Sequence, residues 1–248
     1  MNVDVEELRA KVALSCRILS SRKIMREVTG HVSARIPGTD EMLVRCRGAN
    51  DPGVAGTQPG DIRRVDFEGR GEEKEGFSLP GEFAIHAELY KARPEIAAVV
   101  HGHPRASLVC GISGLDIRPI FGGYDPVAMM LADNDLAFFE RSWLISSPER
   151  GRALLAAMDN RSACLLRGHG IVTVGSSVEE ATVRAIKIET LAEITLDVAR
   201  AGRTAPDLPD EEIADLTAST TRHGAEMPVN RWTWDLYARA LDGGIDPA

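Results

Sequence analysis

Apolar residues recur at helical spacing near the start of the chain. Leu8, Val12, Cys16 and Leu19 follow one another at steps of four, four and three over residues 6 to 20, which predicts an amphipathic helix with one face to bury against a sheet. The period then changes. Gly30 to Ile36 alternates, Met42 to Val44 is a short apolar run, and Pro37-Gly-Thr-Asp40 between them is turn-forming, so two strands joined as a hairpin are expected. Ile62 to Phe67 is a third candidate strand, ahead of a charged loop from Gly69 to Gly76. Helical spacing returns from Glu82 to Ala92 and stops at Arg93-Pro94, because the residue before a proline is pushed out of the helical region. An apolar strand then runs to His103, and Pro104 opens another helix.

From Gly111 to Ser147 the periodicity is weak, broken by Gly122-Gly123 and Pro126, and predicts loops with some helix around Ala128. A short helix from Gly151 to Met158 leads to a strand pair, Ala163 to Arg167 and Ile171 to Val174. Ser177-Val-Glu-Glu180 has the capping-box pattern and starts a long helix that ends near Gly202. Its stripe of Ala181, Ala185, Ile188, Leu191, Thr195 and Val198 reads as core packing. A proline-rich joint from Thr204 to Pro209 introduces two further helices, the last carrying Trp232, Trp234 and Tyr237. These aromatics are packing residues by their spacing, with a planar-ligand role as the sharper alternative. Strands separated by helices, without repeats, predict one domain over residues 1–248 with a covered sheet and a C-terminal helical extension from about 204.

Composition narrows the function classes. The 248 residues are 44% apolar and 27% charged, enough for a substantial core. A formal net charge of −8 and an acidic pI near 5.3, with no basic cluster, argue against a nucleic-acid partner. The four cysteines (Cys16, Cys46, Cys110, Cys164) lie far apart in mostly apolar contexts and read as buried, reduced thiols of a cytoplasmic protein. The acidic N-terminus and the lack of a long apolar run predict neither export nor membrane insertion.

The chemistry is carried by histidines. A strand places residues i and i+2 on one face, so His101 and His103 in Ala97-Ala-Val-Val-His-Gly-His103 project together, and His169 in Cys164-Leu-Leu-Arg-Gly-His-Gly170 could complete a three-nitrogen metal site. Such a set suits zinc, and manganese, iron or cobalt once a carboxylate and water are added. The glycines flanking His169 imply a sharp turn and the close approach of another segment. Glu82, at the first turn of a predicted helix, is either an acid satisfied by the helix dipole or a proton carrier whose pKa is raised by desolvation. His86, four residues on, reads as a supporting or packing histidine.

Taken in order, Thr29-Gly-His-Val-Ser-Ala-Arg35, Gly81-Glu-Phe-Ala-Ile-His86, Arg93-Pro-Glu-Ile-Ala-Ala-Val-Val-His-Gly-His-Pro104 and Leu165-Leu-Arg-Gly-His-Gly170 resemble the class II aldolase/adducin family over most of residues 5 to 200. The resemblance implies an α/β fold, a three-layer αβα sandwich around a mainly antiparallel sheet, assembled as a homotetramer. It implies one divalent metal ion per subunit on His101, His103 and His169, with Glu82 as the acid/base carboxylate that can also touch the resting metal. The family includes sugar-phosphate aldolases and epimerases, decarboxylases of hydroxy-aromatic dicarboxylates, and the non-enzymatic adducin head. The segments that bind phosphate in the sugar-phosphate enzymes read here as Gly30-His-Val-Ser33, Arg47-Gly48 and Pro80-Gly-Glu82, without the expected Asn, Thr and paired Ser. His31, with Arg45 or Arg47, suits a planar carboxylate better, since guanidinium grips carboxylate in a fork. Gly30 and Ser33 share that turn, and Tyr124 is a nearby candidate. The expected activity is metal-dependent decarboxylation of a hydroxylated aromatic carboxylate, dihydroxyphthalate-like or a hydroxypyridine. The alternative is an aldolase cleaving a non-phosphorylated hydroxy-keto compound. A scaffold without activity would not need all four of His101, His103, His169 and Glu82.

Overall fold

Seven short strands make one sheet. They are β1 (His31–Arg35), β2 (Glu41–Arg45), β3 (Ile62–Asp66), β4 (Ala98–Gly102), β5 (Leu136–Phe139), β6 (Ala163–Leu166) and β7 (Gly170–Gly175). Their order is β3-β2-β1-β4-β7-β6-β5, antiparallel throughout except for the parallel pair β5 and β6. The computed structural model describes residues 4–71, 76–221, 228–241 and 243; residues 72–75 of the expected charged loop lie outside them.

Eight helices are described: α1 (Val5–Ser21), α2 (Phe83–Ala92), α3 (Arg105–Ser113), α4 (Pro126–Asn134), α5 (Pro148–Met158), α6 (Val178–Arg200), α7 (Asp210–Thr221) and α8 (Pro228–Leu241). Strand alternation sorts their cores onto two faces. Val32, Ala34, Leu43, Ala98, Val100 and Leu165 point toward α1, α3, α4, α6 and α8. Met42, Val44, Val99, Cys164, Leu166 and Val172 point toward α2 and α5. The expected three-layer sandwich is the result. None of the described helices is long and apolar enough to cross a membrane.

The strands and long helices fall where periodicity places them, within a residue or two at most ends. In the region from Gly111 to Ser147 the helix expected around Ala128 is α4, whereas the edge strand β5 was not expected, because its four residues Leu-Ala-Phe-Phe are too few to alternate legibly. At the start of α6, Ser177 caps the Glu180 N–H at 3.1 Å, but Glu180 reaches back to the Ser176 N–H at 2.7 Å, so the expected box is offset by one residue. Of the C-terminal aromatics, Trp234 is buried in the α1/α6 core and Tyr237 packs against it, whereas Trp232 is exposed. The packing reading holds for the first two. All four cysteines are buried and unpaired, and burial pushes the Cys16 and Cys164 thiols up to about 12.

One buried carboxylate ties the histidine strand to its surroundings. Pro104 cannot cap α3 with a side chain, and Glu189 of α6 does so instead, accepting the N–H groups of Ala106 (2.7 Å) and Ser107 (2.9 Å) and the Ser107 hydroxyl (2.7 Å). Capping by an anion satisfies orphan donors and complements the helix dipole. It holds the segment just after His103.

Candidate metal centre

His101 lies on β4, on the face covered by α2, and His103 follows the strand end by one residue. Their rings sit 4.8 Å apart, with that of His169 at 4.9 Å from His101 and 5.1 Å from His103. His169 belongs to the turn between β6 and β7, and β7 pairs with β4, so sheet register brings the segments together. A Cβ on Gly170 would meet the Gly102 carbonyl oxygen at 2.2 Å. Only glycine permits this approach of the two histidine-bearing segments, as the flanking glycines suggested.

Glu82 is the N-cap of α2 rather than a member of its first turn, and its side chain makes no capping bond. The carboxylate faces the histidines. Oε1 accepts the Ile145 N–H at 2.7 Å, while Oε2 lies 3.2 Å from His101 Nε2 and 3.3 Å from His169 Nε2. One donor atom from each of Glu82, His101, His103 and His169 falls within 4.8 Å of the others.

The donor set fits a cation. His101 Nδ1 lies 2.9 Å from the Ile171 carbonyl, which can only accept, so the proton is on Nδ1 and Nε2 carries a lone pair. That lone pair faces the Glu82 carboxylate and, at 3.0 Å, His103 Nε2. Both ring nitrogens of His169 are enclosed without a hydrogen-bond partner. Lone pairs converging on a carboxylate repel unless a positive charge sits among them, and a divalent ion with three nitrogens and one oxygen relieves the conflict.

Burial opposes ionisation of Glu82, but positive charge at the His101 and His169 rings beside Oε2 outweighs it and holds the carboxyl well below the usual range. This corrects the expectation of a raised pKa: desolvation is present, and two imidazoles at contact distance override it. Burial, then neighbouring imidazoles, lowers His103 to about 3.

Behind the cluster, His31 pairs with His101 in register across β1 and β4, ring to ring at 5.0 Å. His31 Nδ1 is 2.6 Å from His86 Nε2, and His86 Nδ1 is 2.6 Å from Ser33 Oγ, which is 2.8 Å from the Tyr90 hydroxyl. Burial is the main cause that holds His31 well below its ordinary pKa and brings His86 down to about 3. His86 is thus a supporting histidine. Ser33 is fully buried, with its hydroxyl between His86 Nδ1 and the Tyr90 hydroxyl. Tyr90 was not singled out in the sequence, although Glu82, His86 and Tyr90 stand at i, i+4 and i+8 on one helical face, the spacing that would have found it.

The other candidates separate. Arg45 alternates onto the α1 face of the sheet, opposite His31, and its guanidinium bonds Asp51 (2.5 Å) and Thr57 (3.0 Å); it is a structural cation. Arg47 is exposed, and its backbone pairs with Ser78 on the segment leading to Glu82. Gly30 has φ +95°, and a Cβ there would meet Met25 at 2.6 Å, so it is required by the turn before His31. Tyr124 is exposed and stacks edge-on with Phe121, and it makes no ring contact with the histidine cluster.

The profile of the Class II Aldolase and Adducin N-terminal domain matches residues 10–196, about three-quarters of the chain. The chain belongs to this family. Among its relatives in the family, a 3,4-dihydroxyphthalate decarboxylase of Arthrobacter keyseri is 41% identical over 212 residues, covering 84% of this chain and 85% of the relative. A 3,4-dihydroxyphthalate decarboxylase of Rhodococcus jostii (strain RHA1) is 39% identical over 217 residues, covering 86% and 89%. The aldolase II superfamily protein from Pseudomonas syringae has the same fold, with a TM-score of 0.78 at 22% identity over 96% of this chain and 93% of that one. Family and relatives together support a carbon–carbon lyase.

Proposed function

We propose that this chain is a metal-dependent lyase that decarboxylates a hydroxylated aromatic carboxylate, with a dihydroxyphthalate-like ring favoured over a hydroxypyridine. The carrying observation is the convergence of Glu82, His101, His103 and His169 in a chain about 40% identical to 3,4-dihydroxyphthalate decarboxylases. His101, His103 and His169 would hold the ion, with Glu82 beside it. A divalent ion bound there supplies Lewis acidity toward neighbouring substrate oxygens and offsets charge as a carbon–carbon bond breaks.

Glu82 carries the proton. Held as a carboxylate and fixed through Oε1 by the Ile145 N–H, it is ready to accept the proton of a ring hydroxyl through Oε2. The carbon–carbon bonding pair stays with the ring as carbon dioxide departs, and Glu82 returns its proton to that ring carbon. This assignment needs no raised pKa, because the substrate supplies the proton that the carboxylate delivers. His31 and Arg47 bind the carboxylate or second hydroxyl in this reading, and Tyr124 has the weakest support. The reading also includes a homotetramer, as the family resemblance implies, and a cytoplasmic home, in keeping with four unpaired cysteines.

The test is carbon dioxide release by protein loaded separately with zinc, manganese, iron or cobalt and offered ortho-hydroxylated aromatic dicarboxylates beside hydroxy-keto acids. Metal-dependent gas from an aromatic acid supports the proposal. An aldehyde or keto-acid fragment without gas would replace decarboxylation by the aldolase alternative.

A further inference from the structure

Tyr90, Ser33, His86 and His31 form an unbroken line of buried hydrogen bonds behind the metal centre, with links of 2.8, 2.6 and 2.6 Å. Each link has two possible directions, and one end decides them all. The Tyr90 hydroxyl is fully enclosed, and Ser33 is the one side chain that reaches it among the described residues. Ser33 Oγ is the one acceptor described for the phenolic proton. A buried hydroxyl left without an acceptor costs on the order of a whole hydrogen bond. Tyr90 therefore donates to Ser33, and Ser33, having accepted, donates to His86 Nδ1. His86 then carries its proton on Nε2 and gives it to His31 Nδ1, which leaves the proton of neutral His31 on Nε2.

The far end of the line is open. His31 Nε2 makes no hydrogen bond among the described residues, yet it is not among the sealed polar atoms, and the His31 ring stands 5.0 Å from that of His101. Arg35 braces the near end: its guanidinium lies over the Tyr90 ring at 4.9 Å and bonds the Ile96 carbonyl at 3.0 Å.

We propose that Tyr90, Ser33 and His86 are positioning residues that fix His31 as a neutral Nε2–H donor beside the metal centre, so that the site favours a substrate oxygen that is anionic, a carboxylate or phenolate. A donor facing an anion makes a stronger bond than one facing a neutral hydroxyl. The polarity follows from the hydrogen-bond line alone, whereas its use on a substrate oxygen rests on the lyase reading above.

Ring-nitrogen magnetic resonance of histidine-labelled, zinc-loaded protein tests the polarity without turnover, with the His31 signals identified by their loss in His31→Gln. The expected pattern is an unprotonated Nδ1 and a protonated Nε2 on His31. The reverse tautomer, or a doubly protonated ring, overturns the proposal. In Tyr90→Phe, the pattern should shift toward a mixture of tautomers and kcat/KM for the carboxylate substrate should fall roughly ten-fold. An unchanged spectrum in that variant overturns the role of Tyr90, and the wild-type spectrum decides the polarity even if the variant does not fold. If the tautomer is found as expected and no aromatic acid releases gas, the lyase reading fails while the relay stands.

Discussion

His101 donates through Nδ1 to the carbonyl oxygen of Ile171 at 2.9 Å, across the pairing of β4 with β7. The bond belongs to the sheet as much as to the site. It sets the ring's tautomer and orientation with a backbone group that no side-chain substitution removes, and it turns Nε2 toward Glu82, His103 and His169.

Metal content should follow His101. His101→Ala removes the most enclosed nitrogen of the set and is expected to lower metal affinity by more than roughly 100-fold, since even supporting partners of such ligands are worth about 10- to 100-fold. Elemental analysis after dialysis against a weak chelator measures this, and wild-type stoichiometry in the variant would remove His101 from the ligand set.

Glu82→Gln separates proton transfer from metal retention. The amide still accepts the Ile145 N–H, so the fold and most of the metal should remain, while turnover falls by roughly 10²- to 10⁴-fold. Near-normal turnover in metal-replete Glu82→Gln would show that the proton travels by another group, with His31 the nearest.

Arg45 should behave as a structural residue. Its side chain is buried on the face opposite His31 and pairs with Asp51, so Arg45→Met leaves that carboxylate without its cation and is expected to cost about 3 kcal/mol in urea unfolding. KM for substrate should not move. A KM effect with unchanged stability would place Arg45 in the binding site after all.

Acid should destabilise the metal-stripped protein through its buried histidines. His86 is held neutral by burial, with a pKa of about 3 in the fold against about 6.5 in the unfolded chain. Between those values the unfolded chain binds more protons, so stability is complete above about pH 6.5 and declines as pH falls toward 3, by about 1.4 kcal/mol per unit for each such group. His103 adds a parallel loss. His86→Gln should flatten the slope of unfolding free energy against pH, and an unaltered slope would assign the acid sensitivity elsewhere.

Most of the fold was legible because period survives in the sequence wherever an element buries one face: α1 and α6 carry unbroken stripes, and β1 alternates. The edge strand β5 was not, since four apolar residues beside Asp133-Asn-Asp135 carry no period. The metal cluster was legible because His101 and His103 share a strand and His169 sits between glycines. Glu82 was found for its position and misjudged in its ionisation, because a pKa depends on two imidazoles that only the sheet register brings near. Arg45 and Arg47 look alike in sequence; β2 ends at Arg45, so the strand fixes the face of Arg45 alone, and Arg47 follows it on an exposed segment. Tyr90 was missed because its partner Ser33 lies 57 residues away in the chain.

The sheet acts as a partition in this molecule. Alternate residues of β1 and β4 serve two separate tasks: His31, Ser33 and His101 turn to the α2 side, while Val32, Ala34 and Val100 turn to the larger helical layer. Selection for stability and selection for substrate therefore act on different residues of the same strands. A laboratory library confined to the polar positions on the α2 side could explore new acids while the apolar residues of both layers keep the chain folded, and a library on the opposite layer could harden the protein with the chemistry left in place.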